Sequence, residues 1–337
     1  MFNTNMFTND TMQDHLSSKK MITFDYAKKI FERPFLDLIA DSHAVHVANH
    51  VPNEVQASTL LSVQTGGCCE DCAYCAQSIR NGTKAPKQTI TDIDTIMHAA
   101  QRAKDIGSSR FCMGTSGRTP SCDIFKLMCE AIKKVKKLGL ETCVTMGMLN
   151  EAQVIELKAC GLDFYNHNID TSPEYYGNII TTRTIDDRVN TINLVQKHGI
   201  KVCTGGIIGM GETNDDRIKM LVLLANLDAH PASISINRLV KVPGTRLEGV
   251  PDVDPFDFVR CIALARILMP ASVVRISAGR ESMSDEMQAL CLFAGAGSIF
   301  LGETLLTAPN AEVSRDLELM NRLNIRLNGI PASSKRR

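Results

Sequence analysis

Residues 110–145 read RFCMGTSGRTPSCDIFKLMCEAIKKVKKLGLETCVT, and this stretch indicates the fold class. An apolar run at 110–113 precedes an amphipathic stretch at 124–138, and a second apolar run follows at 141–145. The pattern predicts a strand, a helix that stops at Gly139, and a second strand. Two strands joined by a helix pair in parallel through a right-handed crossover, so the stretch predicts a βαβ unit.

The same alternation continues along most of the chain. Eight such units favour an α/β fold, a single (β/α)8 TIM-type barrel, with a doubly wound open sheet as the alternative. The predicted organisation is an N-terminal extension with short helices at 1–54, the barrel at 55–310, and a C-terminal helix with a basic tail at 311–337. The predicted strands are 60–63, 110–113, 141–145, 163–166, 201–205, 233–239, 273–277 and 298–301. The predicted helices are 26–31 and 36–48 in the extension, then 92–106, 124–138, 151–160, 186–198, 215–225, 256–269, 285–293 and 314–323.

Composition excludes several classes of protein. The 337 residues are 44% hydrophobic and 22% charged, which are ordinary values for a globular domain and not for a disordered or fibrous chain. The 37 Lys and Arg residues balance 37 Asp and Glu residues, so no bulk field favours nucleic acid or an anionic membrane. No apolar run reaches the length of a membrane span, and residues 1–20 lack the apolar stretch of a secretion signal. We expect a cytoplasmic protein with no nucleic-acid or membrane partner, and a solvated basic tail at Lys335-Arg336-Arg337.

The strongest chemical signal is a cysteine-rich loop after the first predicted strand. Cys68, Cys72 and Cys75 form a C-x3-C-x2-C pattern, and three thiolates in one loop suit iron–sulfur or zinc. A fourth local ligand is missing, which is a defect in a structural zinc site but leaves an open iron in a 4Fe–4S cluster. Cys69 offers an alternative register, Cys69-x2-Cys72-x2-Cys75.

Further polar or sulfur-bearing side chains lie on the predicted strands. Cys112, Cys143 and Cys203 each belong to a different strand, so a closed barrel brings them together if all three point inward. Otherwise they are small core residues. In the run 233–237 the two serines and Asn237 share one face, which we expect to point inward because helices cover the outside of the barrel.

Several motifs identify a family resemblance. A C-x3-C-x2-C loop after the first barrel strand resembles the radical S-adenosylmethionine enzymes. Longer segments, spread over residues 25 to 325, resemble the biotin synthase family within that superfamily. They are 110–114, 165–171, 176–184, 201–206, 209–213 and 275–280.

This resemblance implies an activity and two clusters. A 4Fe–4S cluster on Cys68, Cys72 and Cys75 would bind S-adenosyl-L-methionine and cleave it to a 5′-deoxyadenosyl radical. The reaction would be a sulfurtransferase step, the radical insertion of sulfur into dethiobiotin that completes biotin biosynthesis.

A second cluster, 2Fe–2S, would be the sulfur donor. Its implied ligands are Cys112, Cys143, Cys203 and Arg275. A guanidinium has no lone pair to offer, so residue chemistry alone makes Arg275 a charge-balancing neighbour. Arg110, two residues before Cys112, either neutralises that cluster or forms a surface salt bridge.

The resemblance also implies contacts and partners. Asn166, Asn168 and Asp170 alternate along one face at the end of the fourth strand, where a plain turn is the alternative interpretation. The expected partners are dethiobiotin, an electron donor of flavodoxin type, iron–sulfur assembly proteins and a second copy of the chain in a homodimer. Implied contacts are Tyr74 near the adenine, Asn168 and Asp170 on the ribose, Arg188 on the methionine carboxylate, and Asn166, Asn168, Asn237 and Thr307 on the substrate.

Two other classes remain open on the sequence. A different radical enzyme, such as a lyase or a maturase, would keep the cysteine loop but need not have the strand cysteines. A zinc-binding scaffold without activity would use the same thiols.

Overall fold

A computed structural model describes residues 21–302 and 304–328. The predicted basic tail and residues 1–20 lie outside the described residues. The strands are β1 (Glu54–Thr65), β2 (Gln88–Thr89), β3 (Arg110–Thr115), β4 (Glu141–Thr145), β5 (Phe164–Asn166), β6 (Lys201–Ile208), β7 (Ser233–Arg238), β8 (Val273–Ile276), β9 (Ala296–Phe300), β10 (Thr304–Leu305), β11 (Ala308–Pro309) and β12 (Arg326–Asn328). The helices are α1 (Phe24–Phe31), α2 (Phe35–Asn49), α3 (Ile93–Asp105), α4 (Cys122–Lys137), α5 (Glu151–Ala159), α6 (Pro173–Ile179), α7 (Ile185–Lys197), α8 (Asn214–Ala225), α9 (Pro255–Leu268), α10 (Asp285–Phe293) and α11 (Val313–Arg322).

Eight parallel strands close into a barrel. The order is β1, β3, β4, β5, β6, β7, β8 and β9, and β1 pairs with both β3 and β9. At the closing seam Gln56 is opposite Ser298 and Ser58 is opposite Phe300. Because this pairing leaves no open edge between β9 and β1, the barrel prediction is confirmed and the doubly wound open sheet is wrong.

Local sequence explains where the helices begin and end. The side chain of Ser121 accepts a hydrogen bond from the backbone N–H of Ile124, so α4 begins two residues before the predicted start. Its apolar stripe is buried, and Gly139 follows with a left-handed φ of 83°. Of the described helices, none is both long and apolar enough to cross a membrane.

The N-terminal helices pack on α8 and α9 and reach the amino ends of β8 and β9. Ser42 of α2 donates a hydrogen bond to the carbonyl of Ala294 at 2.7 Å. Arg266, buried near the end of α9, donates to the carbonyls of Ser272 and Gly295 and lies 2.6 Å from Nε2 of His50. His50 stacks on His46, so two imidazoles at the end of α2 lie beside a buried cation.

The C-terminal segment adds two contacts to the barrel. β12, which the sequence analysis did not predict, pairs in parallel with the start of β1, with Val55 opposite Leu327. Asp316 of α11 forms a buried ion pair with Arg280, which follows β8.

Candidate active site at the carboxyl end of the barrel

A cavity opens at the carboxyl ends of the strands, where barrel enzymes place their sites. Its wall includes residues from the loop after β1, from the ends of β3 to β8, and from the segment 305–307. The apolar side chains of the barrel strands pack against the helices outside, so the polar side chains of the same strands point into the barrel. Ser235 and Asn237 of β7 line the cavity, as the strand pattern predicted.

The loop after β1 presents three thiols to this cavity. Cys68, Cys72 and Cys75 all lie in its wall, whereas Cys69 is exposed and does not contribute to it. Backbone hydrogen bonds fold the loop back on itself, from Cys68 N–H to the Gln77 carbonyl at 3.0 Å and from Ile79 N–H to the Cys68 carbonyl at 2.9 Å. The loop is therefore a compact turn whose sulfurs face one side.

Glu70 fastens the loop to the segment between α6 and α7. Its buried carboxylate accepts a hydrogen bond from the hydroxyl of Thr182, and lies 3.3 Å from Arg118 Nη1 and 3.6 Å from Arg183 Nε. Nη2 of Arg183 is 3.8 Å from the sulfur of Cys72. Sequence reasoning missed these contacts because 111 residues separate Cys72 from Arg183, and no periodic pattern links positions so far apart.

Burial keeps two of the loop thiols, those of Cys72 and Cys75, protonated in the absence of a ligand. It raises the pKa of Cys72 to about 12, with the Asp170 carboxylate adding to the effect, and it raises the pKa of Cys75 to about 11. Since metal binding requires the thiolate form, loading such a site releases protons.

Deeper in the barrel lies a second group of three thiols. Cys112 of β3 is directly opposite Cys143 of β4, and Cys203 of β6 lies 3.5 Å from the hydroxyl of Ser235. All three are buried, and Cys112 and Cys143 line the cavity. A hydrogen bond from Cys143, then the cations of Arg275 and Arg110, lowers the pKa of Cys112 to about 7. The barrel thus brings together cysteines that no sequence motif connects.

Two buried arginines flank this second group. Arg275 donates to Ser298 at 2.9 Å and to Ser58 at 3.0 Å, and its guanidinium lies over the ring of Phe300. Arg110 bonds Glu141 at 3.0 Å, while its Nη1 is buried and has no partner among the described residues. The sequence analysis did not identify the two serines, which hold Arg275 from β1 and β9.

A polar wall follows β5. Asp170 has a left-handed φ of 68° and forms a buried ion pair with Arg188 at 2.5 Å. Asn166 donates to Thr145 at 3.0 Å, and the buried Oδ1 of Asn168 has no hydrogen-bond partner among the described residues. These side chains line the cavity on the same face, as their alternation predicted.

Gly206 makes this wall possible. A Cβ at that position would lie 2.6 Å from the carbonyl oxygen of Asp170, and the N–H of Ile207 donates to that carbonyl at 2.8 Å. Only a glycine lets β6 approach the segment so closely.

The other predicted contact residues also reach the cavity. Tyr74 is half-buried in its wall, and burial raises the pKa of its phenol well above the ordinary value. Asn237 uses both ends of its amide on the backbone, donating to Gly206 and accepting from Ala278. Thr307 is exposed at the mouth.

Family models and known proteins match most of this chain. The model of the Radical SAM superfamily matches residues 62–225, and that of the Biotin and Thiamin Synthesis associated domain matches 235–326. Over 306 residues the chain is 56% identical to biotin synthase of Rickettsia felis, which covers 91% of this chain and 99% of that one. It is 53% identical to biotin synthase of Vibrio vulnificus, over 90% of this chain and 87% of that one.

The chain belongs to the biotin synthase family.

Solved structures support the fold. Methylornithine synthase superposes with a TM-score of 0.77 at 18% identity, over 93% of this chain and 96% of that one. The FeFe-hydrogenase maturase of Carboxydothermus hydrogenoformans gives a TM-score of 0.78 at 14% identity, over 96% of this chain and 80% of that one. The predicted barrel and the predicted resemblance to the biotin synthase family are both confirmed.

The residues on the cavity fit the groups that membership in this family implies. Radical S-adenosylmethionine enzymes carry a 4Fe–4S cluster and bind S-adenosylmethionine. Three thiols face the cavity from one loop, and beside them the buried Nε of Arg183 and Oδ1 of Asn168 lack hydrogen-bond partners among the described residues. Within residues 21–302 and 304–328, no three His, Cys, Asp or Glu side chains converge on one metal ion. In an iron–sulfur cluster the thiolates bind different irons and stand farther apart.

Proposed function

We propose that this protein inserts sulfur into dethiobiotin to form biotin, with S-adenosylmethionine as co-substrate. One observation carries the proposal: the three loop thiols and two thiols of the strand group, Cys112 and Cys143, line the same barrel cavity, and Cys203 is buried in one cluster with those two. A radical enzyme of another class, such as a lyase or a maturase, would keep the loop group but need not have the strand group.

Each thiol group would hold one cluster. Cys68, Cys72 and Cys75 would bind the 4Fe–4S cluster, which supplies the electron that cleaves S-adenosylmethionine to methionine and a 5′-deoxyadenosyl radical. The exposed position of Cys69 supports the longer register that starts at Cys68. Carbon–hydrogen bonds at saturated carbons are too strong for acid–base catalysis, so the reaction needs a radical.

Cys112, Cys143 and Cys203, with Arg275, would hold the 2Fe–2S cluster, the substrate that gives up its sulfur. Ser58 and Ser298 fix the guanidinium of Arg275 against this thiol group. The unpartnered Nη1 of Arg110 places a second cation beside it, which supports a role in balancing the charge of the thiolates.

The polar wall would orient S-adenosylmethionine. Arg188 uses Nε on Tyr176 and Nη2 on Asp170, which leaves Nη1 for the methionine carboxylate. Asp170 uses Oδ2 on Arg188, which leaves Oδ1 for a ribose hydroxyl, and Asn168 would bind the same sugar. Tyr74, between two of the loop cysteines, would pack near the adenine.

The substrate would lie between the two thiol groups. Asn166 donates its amide to Thr145, which leaves Oδ1 to accept a ureido N–H, and Asn168 has the same acceptor free. Each end of the Asn237 amide retains capacity for a second hydrogen bond. Thr307 at the mouth would bind the substrate carboxylate through its hydroxyl.

The remaining expectations are part of the same proposal. We place the enzyme in the cytoplasm, as a homodimer that receives electrons from a flavodoxin-type donor and clusters from iron–sulfur assembly proteins.

Anaerobic reconstitution with iron and sulfide tests the proposal. Incubation with dethiobiotin, S-adenosylmethionine and dithionite should yield biotin by mass spectrometry. Cys72→Ala should abolish S-adenosylmethionine cleavage, whereas Cys203→Ala should keep the first cluster and lose biotin. Cys261→Ala, a buried helix thiol outside the cavity wall, is the matched control and should retain both. Binding of zinc in place of iron, or full biotin yield from Cys203→Ala, would overturn the proposal.

A further inference from the structure

Four cations surround the outer side of the cysteine loop. Arg80, Lys84, Lys87 and Arg246 are all exposed, and we call them the cationic rim. None forms an ion pair with a carboxylate among the described residues. On a chain with 37 positive and 37 negative side chains, this is a local excess of positive charge.

Contacts place three of the four rim residues directly against the loop. Arg80 Nε donates to the carbonyl of Cys69 at 3.0 Å, and Arg246 Nη2 donates to the carbonyl of Asp71 at 2.6 Å. A Cβ on Gly67 would lie 3.2 Å from Cε of Lys87, so this side chain passes over the loop. These arginines bond backbone carbonyls, and Lys84 and Lys87 have no carboxylate partner among the described residues, so no cation of the rim is neutralised by a direct ion pair.

The nearby carboxylates do not cancel the rim. Glu70 is buried and serves Arg118 and Arg183, and both oxygens of Asp71 accept hydrogen bonds from Thr181. Glu248 is exposed and accepts from the N–H of Gly244. Because their donors are neutral, Asp71 and Glu248 keep their negative charges, and the four rim cations less these two carboxylates leave a net charge of +2 on this face.

An apolar side chain lies within the same surface. Ile79 is 68% exposed, and its N–H bonds the carbonyl of Cys68. Cys69 next to it is also exposed. An exposed apolar residue beside an excess of charge of one sign is typical of a docking surface that attracts an oppositely charged protein and then packs against it.

We propose that the cationic rim is the docking surface for an acidic one-electron carrier protein. The inference rests on the proposed 4Fe–4S site at Cys68, Cys72 and Cys75, because that site consumes one electron from outside for each S-adenosylmethionine cleaved. One electron passes from the reduced carrier, which is oxidised, to the site beneath the loop, which is reduced, and no bond forms. The rim lies where the loop reaches the surface, so a carrier bound there approaches the thiols more closely than one bound at the barrel's opposite end.

Nucleic acid is a poorer occupant for this surface. Single strands bind to basic grooves through exposed aromatic rings, and the chain has no Trp, while Tyr74 of the loop is half-buried in the cavity wall. A protein partner uses both the cations and the exposed Ile79.

A charge reversal at two rim lysines tests the proposal. Lys84→Glu/Lys87→Glu changes the rim by four charges on exposed side chains that hold no described contact of the cavity. The matched control is Lys133→Glu/Lys137→Glu, which makes the same change on exposed residues of α4 at the amino end of the barrel. Iron content and circular dichroism of both variants should equal those of the wild type.

The readout is formation of 5′-deoxyadenosine with two reductants. With dithionite, a small molecule that needs no docking, all three proteins should be equally active. With a purified flavodoxin as the acidic carrier, the rim variant should show an apparent KM for the carrier about tenfold higher or more, while the control stays at the wild-type value. Raising the ionic strength from about 50 to about 300 mM should raise the wild-type KM and change that of the rim variant much less.

The outcomes separate this inference from the proposed function. No 5′-deoxyadenosine from the wild type with dithionite means that the proposed function fails. Activity with dithionite and an unchanged carrier KM in the rim variant overturns the docking inference. The docking inference is also overturned if light scattering shows that the rim variant loses a dimer that the wild type forms. Binding of an oligonucleotide, and not of the carrier, to the rim overturns it as well. If the double variant does not retain iron, two other measurements replace it: the single variant Lys84→Glu and the salt series on the wild type. The inference is overturned if the KM for the carrier changes neither in Lys84→Glu nor with ionic strength.

Discussion

The ion pair between Arg280 and Asp316 fastens α11 to the barrel, and Asp316→Asn measures what it contributes. Nη1 and Nη2 of the guanidinium meet the two carboxylate oxygens at 2.6 and 2.7 Å, and the side chains are 0% and 1% exposed. Arg280 also donates to Gln288 and to the carbonyl of Phe300, just before the segment that lines the cavity mouth.

The expected loss follows from burial. Asparagine has nearly the shape of aspartate, so the substitution opens no cavity; it removes the charge and one of the two oxygens that accept from Arg280. It leaves a guanidinium unpaired in the interior, which costs about 3–5 kcal/mol of unfolding free energy. Glu130→Gln is the matched control, because its pair with Lys134 is exposed along one face of α4 and contributes about 0.3–0.5 kcal/mol.

Urea unfolding followed by circular dichroism at pH 7 gives both free energies. The reasoning is refuted if Asp316→Asn unfolds within about 1 kcal/mol of the wild type, since a buried unpaired cation costs more than that. An equally large loss of unfolding free energy in Glu130→Gln would also refute the reasoning, because burial would then not determine how much an ion pair contributes to stability.

Three further predictions address single residues. Burial, and next the Arg266 cation, lowers the pKa of His46 to about 4, so the unfolded chain takes up a proton below pH 6.5 that the folded chain does not. From pH 6.5 to 5 the wild type should therefore lose about 1.6 kcal/mol more stability than His46→Gln in urea unfolding, and identical pH profiles would contradict this. After anaerobic reconstitution Cys69→Ala should keep the 4Fe–4S absorbance and Cys68→Ala should lose it; the opposite result means that the shorter spacing is used. Arg275→Lys should alter the 2Fe–2S absorbance and leave that of the 4Fe–4S cluster intact, because lysine has a shorter reach and a different geometry, and an unchanged spectrum makes Arg275 a neighbouring cation only.

Local patterns were enough to predict the barrel. Each strand–helix unit carries its own signal, such as the apolar run at 110–113 and the stop at Gly139, and eight such signals in series leave few topologies. β12 was missed because Arg326, Leu327 and Asn328 are only three residues and are recruited by pairing with β1, a contact across most of the chain.

The candidate site also has a part that local sequence patterns predicted and a part that they did not. The loop cysteines and the alternation from Asn166 to Asp170 are local patterns, and the structure brings all of them to one cavity. The contacts of Glu70 and Arg183 form only because two loops meet in the folded protein, and no periodic pattern in the sequence predicts such a meeting. Likewise, the hold of Ser58 on Arg275 joins residues 217 positions apart.

The two thiol groups can assemble at different stages of folding. Cys68, Cys72 and Cys75 belong to one short turn, so a partly folded chain, or a nascent one, can already gather them. Cys112, Cys143 and Cys203 meet only after the four neighbouring strands from β3 to β6 have docked side by side, and the three thiols are then buried. Whatever occupies the inner group must therefore be delivered to a finished barrel through its mouth, past Thr307 and the loop cysteines. Any exchange of what the inner group holds is consequently limited by access through that mouth.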